Sequence, residues 1–289
     1  MMYQESGLKG RFKEGKMSQK RCGVIVGASS DIGLELSRHF LQKQFKLVGT
    51  FRTSSNQLEE LESQFLALIQ SDFSSSISIN RCIQKLKDIN CSWDFAILCP
   101  GTMEPIGRFE NCNIEDWEKN IKVNLLSQLR FVHGILPLRQ FRNDFTPKII
   151  FFAGGGTNSA PVNFSAYTLS KIALIKAVEL LDAEHNDVCF TILGPGWVKT
   201  KIHSETLRAE KLSGEAYRET TRRFESGEFT PISEVIDCCD WLLRSDKCTV
   251  GGRNFSVVHD PWTKDDLAKA LRENPDMYKL RRYGNDWFK

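Results

Sequence analysis

A doubly wound α/β domain built on one parallel sheet is the fold this sequence predicts. Short apolar runs alternate with stretches of helical period along most of the 289 residues. The runs are continuously apolar, as strands covered on both faces are. No shift in composition, internal repeat or low-complexity tract divides the chain, so a single domain is expected.

CGVIVG (22–27) is an apolar run ending in a glycine turn. DIGLELSRHFLQKQF (31–45) sets Ile32, Leu36 and Phe40 at helical spacing. KLVGTF reads as the second strand and NQLEELESQFLALI as the second helix. The serine-rich SDFSSSISIN begins a further helix, because serine oxygens accept from free helical N–H groups. FAILC (95–99) is a buried strand, and DWEKNIKVNLLSQLRFVHGILPL is one long helix. KIIFFA is a strand, followed by the helix that carries YTLSK. VCFTILGPG is a strand with a Pro-Gly break, SEVIDCCDWLLR a helix, and RNFSVV the last strand.

Composition narrows the function classes. With 41% apolar residues the chain can fill one large core or two small ones. No apolar run approaches the ~20 residues that span a bilayer, so no membrane partner is expected. MMYQESGLKGRFKEGKMSQK lacks the apolar stretch of a secretory signal. Nine cysteines, an odd number without a C-x-x-C pair, suit a reducing cytoplasm, and Cys238 and Cys239 fall in a core pattern. The five histidines never stand at metal-ligand spacing, so no metal is expected. Of the net charge of +3, residues 1–21 hold six basic against two acidic residues, and the rest of the chain is slightly acidic. A nucleic-acid surface is therefore not expected. Residues 1–16 read as a flexible extension, with Met17 as an alternative start.

Two stretches carry nucleotide chemistry. VIVGASSDIGLEL joins a strand to a helix through Gly27 and Gly33. Glycines admit a pyrophosphate close to the backbone, and the helix N-terminus offers N–H donors and the positive end of its dipole. An ordinary strand-to-helix turn is the plain alternative. GTFRTS ends the second strand, where an acid would hold an adenosine ribose diol and an arginine would accommodate a 2′-phosphate. Phe51 takes the acid's place and Arg52 follows, which favours NADP(H) over NAD(H). A solvated loop arginine is the alternative there. Asp72 is placed for the adenine edge, or else to cap a helix.

Tyr167 and Lys171, four apart, share one helix face. A neighbouring ammonium is expected to lower a phenol from ~10 toward neutrality, where a general acid works best. Taken alone, such a pair is also a common coincidence.

With five motifs in order, GASSDIG, DFAILCPG, KVNLL, YTLSK and GPGWVKT, the chain resembles the short-chain dehydrogenase/reductase family, in its single-domain branch, from about Cys22 to His259. The resemblance implies a Rossmann-like fold and assigns roles by position. Gly27, Ser29, Ser30, Ile32 and Gly33 line the pyrophosphate loop, and Gly101 closes the fourth turn. Asn124 anchors a water serving the lysine. Tyr167 is the acid/base, and Lys171 holds the nicotinamide ribose. Pro195, Gly196, Val198 and Thr200 meet the nicotinamide end.

The departures from the family pattern are specific. Val26 replaces a threonine, Asp31 a glycine, and LCPG an Asn-Asn-Ala-Gly. Asp31 is expected to weaken pyrophosphate binding unless it turns away to cap its helix. The family's serine lies thirteen residues before the tyrosine, which is Gly154 here, with Ala153 beside it. The site is then impaired, or Thr157, Asn158 or Ser159 supplies the donor, or Gly154 makes room for a bulkier substrate.

Residues 201–229 fall where the family places a substrate lid, in which Arg222 and Arg223 would meet an anionic group. The whole of 17–260 reads as the NAD(P)-binding catalytic domain. The aromatic-rich 261–289 is expected to pack on this domain or on a partner subunit in a homodimer or homotetramer. That tail resembles those of reductases of bacterial surface-polysaccharide synthesis, implying a sugar or nucleotide-sugar substrate. The leading expectation is an NADP(H)-dependent oxidoreductase for a small-molecule carbonyl/alcohol pair. Its rivals are a cofactor-binding pseudoenzyme acting as partner subunit or redox sensor, and a nucleotide-sugar epimerase or dehydratase.

Overall fold

A computed structural model describes residues 20–283; the expected extension 1–16 lies outside them. Seven parallel strands form one sheet in the order β3-β2-β1-β4-β5-β6-β7. They are β1 Cys22–Val26, β2 Lys46–Phe51, β3 Ala67–Gln70, β4 Phe95–Leu98, β5 Lys148–Phe152, β6 Cys189–Gly194 and β7 Asn254–Ser256. The order reverses between β1 and β4, the topological switch point at which open α/β sheets bind ligands.

Alternate residues of each strand enter opposite cores. Val24, Val26, Ala96, Leu98, Ile149 and Phe151 face one layer, with Ile79, Phe131 and Leu174 from its helices. Ile25, Phe95, Ile97, Ile150 and Phe152 face the other, against Leu36, Phe40, Cys238 and Leu242. Both faces are thus covered, which explains the unbroken apolar runs. Cys238 and Cys239 are fully buried in the second layer.

Two expectations are corrected. NQLEELESQFLALI is not one helix: helix Asn56–Glu59 and a 3-10 turn Glu62–Gln64 precede β3. The parallel pairing of Val48–Phe51 with Ala67–Gln70 recruits its apolar end into the sheet, a long-range gain that overrides local helical period. The long helix is interrupted too. Between Ile114–Ile121 and Ser127–Ile135 runs a π-helical turn, Lys122–Leu126, centred on Asn124.

Beyond β7, helix Asp265–Glu273 buries Leu267 and Leu271 in the second layer. The buried Arg253 guanidinium donates to the carbonyls of Leu271, Asn274 and Met277. Tyr278 packs edge-on against Phe255 at 5.5 Å, and Asn254 N donates to Tyr278 O at 2.9 Å, so this segment covers the β7 edge. Leu271→Ala is expected to cost about 2–5 kcal/mol in urea unfolding, through lost burial and the cavity left behind. A loss below about 1 kcal/mol would show that the helix contributes little to the fold.

Candidate active site

The C-terminal ends of all seven strands open into one cleft of about 1860 Å³. Each residue singled out for the site from the sequence lines it, except the buried Asn124 and Gly33 and the two arginines Arg222 and Arg223.

At β1 the chain turns through Gly27, whose φ of +78° suits glycine. A Cβ on Gly33 would lie 2.2 Å from Gly27 O, so only glycine lets the helix start this close to the strand. Ser30 is the N-cap: Gly33 N donates to its Oγ at 3.1 Å. Gly27 N donates to Thr50 Oγ1 at 3.2 Å, a partner supplied by the register of Val26 opposite Thr50. Ser29 and Ile32 line the cleft. Asp31 does not cap its own helix. Its Oδ2 accepts from the backbone N of Lys201 at 2.6 Å, 170 residues away.

At β2, Arg52 is exposed and lines the cleft beside Phe51. Asp72 is not a helix cap, because that role belongs to Ser75, which accepts from Ser78 N. Asp72 instead accepts from Ser74 N and Ser74 Oγ, both at 2.8 Å, at the cleft edge.

Tyr167 is the third residue of helix Ser165–Glu184, which starts at the strand ends, and Lys171 follows one turn on. Lys171 is buried and its Nζ donates to Phe152 O at 2.8 Å. Burial lowers its pKa to about 8. The Tyr167 phenol does not move toward neutrality: burial, then the Glu205 carboxylate, push it up to about 12. The lysine does not offset this, because its Nζ stands 6.0 Å from the ring centroid and is turned to a carbonyl. Among the described residues the phenol oxygen makes no hydrogen bond.

Gly154 faces that phenol. A Cβ there would lie 2.4 Å from Tyr167 Oη and 2.6 Å from Cζ. Ala153 is buried in the first layer. Thr157, Asn158 and Ser159 continue along the cleft as a loop. At Gly155 a Cβ would meet nothing within 4 Å, so the cleft is open there.

The buried Asn124 side chain is bonded to both backbone groups of Thr102 and to neighbouring side chains. Thr102 N donates to its Oδ1 at 3.0 Å, and its Nδ2 donates to Thr102 O at 2.8 Å and Asn120 Oδ1 at 2.8 Å. Gln128, which the sequence did not single out, donates to Pro100 O at 3.2 Å and supports the LCPG turn. Pro195, Gly196, Val198 and Thr200 line the cleft after β6.

From there the chain crosses the cleft. Helix His203–Ala209 carries Glu205, whose carboxylate accepts from Met103 N at 2.5 Å, Glu104 N at 3.2 Å and Thr102 Oγ1 at 3.1 Å. Burial raises the Glu205 pKa despite these donors. Nothing local marks Glu205 in the sequence, since its partners lie about a hundred residues away. Arg222 and Arg223 do not reach into the cleft. Arg222 is paired with Glu219 and Glu228, and Arg223 with Glu219 while lying 4.8 Å from the Trp197 ring centre. Carboxylates on the same segment, Glu219 and Glu228, are within ion-pair distance and take both guanidinium groups.

Among the described residues no group of His, Cys, Asp and Glu is arranged to hold a metal, and no helix is long and apolar enough to cross a membrane.

Residues 21–211 match the short chain dehydrogenase family. An uncharacterized oxidoreductase of Schizosaccharomyces pombe is 24% identical over 239 residues, covering 80% of this chain and 93% of its own. A 3-oxoacyl-acyl-carrier-protein reductase of Buchnera aphidicola is 23% identical over 245 residues, covering 82% of this chain and 96% of its own. The structure of RhlG with NADP from Pseudomonas aeruginosa superposes with a TM-score of 0.70 at 18% identity, over 82% of this chain and 94% of that one. The match to the family extends over β1 to β6, the glycine turn and the Tyr167–Lys171 helix, and the chain belongs to the short-chain dehydrogenases, NAD(P)-dependent oxidoreductases.

Proposed function

We propose that this chain is an NADP(H)-dependent oxidoreductase that interconverts a carbonyl and an alcohol, with Tyr167 as proton donor. The carrying observation is the Tyr167 phenol, without a protein partner, in the same cleft as the buried Lys171. The cleft fits a dinucleotide. Its glycine turn brings backbone and a helix N-terminus to the switch point, and a Cβ on Gly101 would stand in ordinary contact, 3.8 Å, with Lys171 Nζ. When bound, the dinucleotide supplies or accepts the hydride.

The residues of this chain do the rest. At pH 7 the raised pKa keeps the proton on Tyr167, the state required to donate it to a forming alkoxide. With its pKa near 8, Lys171 exchanges a proton easily there, and its place behind Gly101 suits a ribose hydroxyl. Asn124 ties Thr102, which borders this space, to Asn120 and Ser170 on the helices behind it. Gly27, Ser29, Ser30, Ile32 and Gly33 would hold the pyrophosphate, Asp72 the adenine, and Pro195, Gly196, Val198 and Thr200 the nicotinamide.

Gly154 stands in the position of the family's serine. Its contact with Tyr167 supports a site that gave up the hydroxyl to seat the phenol, with Thr157, Asn158 or Ser159 as the donor to the substrate oxygen. The polar walls near Asp116, Lys119 and Asn158 favour a hydroxyl-rich substrate such as a sugar or nucleotide-sugar. Exposed Leu126, Leu169 and Leu180 on the two long helical segments support a homodimer or homotetramer. Nine free cysteines suit the cytoplasm.

Arg52 supports the NADP(H) preference, with the RhlG–NADP complex as a structural neighbour. Arg52→Ala is expected to weaken NADPH binding by about tenfold, the worth of one charge-assisted phosphate contact, and to leave NADH unchanged. Fluorescence titration measures both. A preference for NADH, or equal losses for the two, sinks the assignment. The whole reading is tested by NADPH consumption over a panel of aldehydes, ketones and nucleotide-sugars. Binding of neither NADPH nor NADH would overturn it.

A further inference from the structure

The segment after β6 is tied down at both ends across the cleft. At one end, Lys201 N donates to Asp31 Oδ2 at 2.6 Å, and Lys201 Nζ lies 3.8 Å from Asp31 Oδ1. At the other, Glu205 takes the N–H groups of Met103 and Glu104 and the hydroxyl of Thr102. These ties join the turn after β1 to the turn after β4, the two walls of the switch point. Ile202 lies between them and reaches inward: a Cβ built on Gly101 would stand 3.8 Å from Ile202 Cδ1 and 3.8 Å from Lys171 Nζ. The isoleucine therefore fills space beside the lysine at the base of the cleft.

Asp31 is not needed by its own helix, because Ser30 already caps it. Its carboxylate takes a backbone N–H that faces the same helix N-terminus at which an anion would bind.

Resting on the reading of the cleft as a dinucleotide site, we propose that Asp31 is a gating residue. Its bond to Lys201 N holds the strap of residues 200–205 shut over the cofactor cleft, and the dinucleotide enters only when the strap has swung out. Two consequences follow from population arithmetic. Apparent affinity is reduced by the fraction of molecules that are open. Association levels off at high cofactor concentration, at the rate of strap opening.

Asp31 also carries a charge that would repel a pyrophosphate, and the two effects separate by substitution. Asp31→Asn removes the charge and keeps an oxygen for Lys201 N–H; Asp31→Ala removes both. Stopped-flow NADPH fluorescence is measured on both variants and the unaltered chain, together with proton exchange at the Lys201 amide without cofactor. The association plateau is expected in the unaltered chain and in Asp31→Asn. In Asp31→Ala it should be lost or rise at least about fivefold, with tighter NADPH binding than in Asp31→Asn and faster Lys201 exchange. Equal plateaus and affinities in the two variants mean that only charge acts, and overturn the gate. Weaker binding with faster release in Asp31→Ala means that Asp31 retains the cofactor, which also overturns it. If no form binds NADPH or NADH, the dinucleotide reading itself has failed. Faster Lys201 exchange in Asp31→Ala would then still show that the tie exists.

Discussion

Tyr167→Phe is expected to abolish turnover, by on the order of 10²–10⁴, the range that a positioned general acid contributes. The same change should leave the fold and NADPH affinity almost untouched. The ring keeps its volume, and the lost hydroxyl leaves no donor or acceptor stranded, because the phenol oxygen has no protein partner among the described residues. The measurement is kcat on any substrate found in the panel, with thermal unfolding and NADPH titration alongside. Normal turnover in this variant would remove Tyr167 from the mechanism. Loss of turnover with intact cofactor binding separates an enzyme from a cofactor-binding sensor, since a sensor has no use for the phenol.

Gly154→Ser gives the second large effect, and its direction distinguishes two accounts of a glycine at the position expected to carry a serine. In an impaired site, restoring an oxyanion donor should raise turnover by ~10²–10³. The geometry favours the opposite outcome. A Cβ at 154 would stand 2.4 Å from Tyr167 Oη and within 2.8 Å of Cε1, so the phenol must move. Displacing a reacting group by about 1 Å costs on the order of 10² in rate. Gly154→Ser and Gly154→Ala are both expected to slow turnover by about that factor, with cofactor affinity preserved. A gain in the serine variant but not in the alanine one would show that the donor was simply lost.

Much of the fold could be read along the chain. Strand ends such as Gly27 and Gly194, and the helix that places Tyr167 above Lys171, follow from runs of residues that are neighbours in sequence. The misreadings occurred where local pattern and distant pairing disagree. ALIQ reads as the tail of a helix until Val48–Phe51 offers it a strand to pair with. The long helix reads as continuous because a single π turn at Asn124 widens one turn by about one residue, too small a phase shift to break the apolar pattern.

The sequence by itself determined the doubly wound class, the order of the elements and the five motifs, because each depends on spacing within a few turns or one strand. Only the tertiary structure decided the chemistry around them. Whether Tyr167 is made more acidic or less depends on how much water reaches it and on Glu205, 38 residues on in the chain but near in space. Where Asp31 points depends on Lys201, across 170 residues. That Arg222 and Arg223 are already paired depends on how helix Glu215–Ser226 places them beside Glu219. Burial, charge pairing and hydrogen-bond direction are properties of neighbours in space, and a residue's neighbours in space are set only when the sheet has brought its strand ends to one edge.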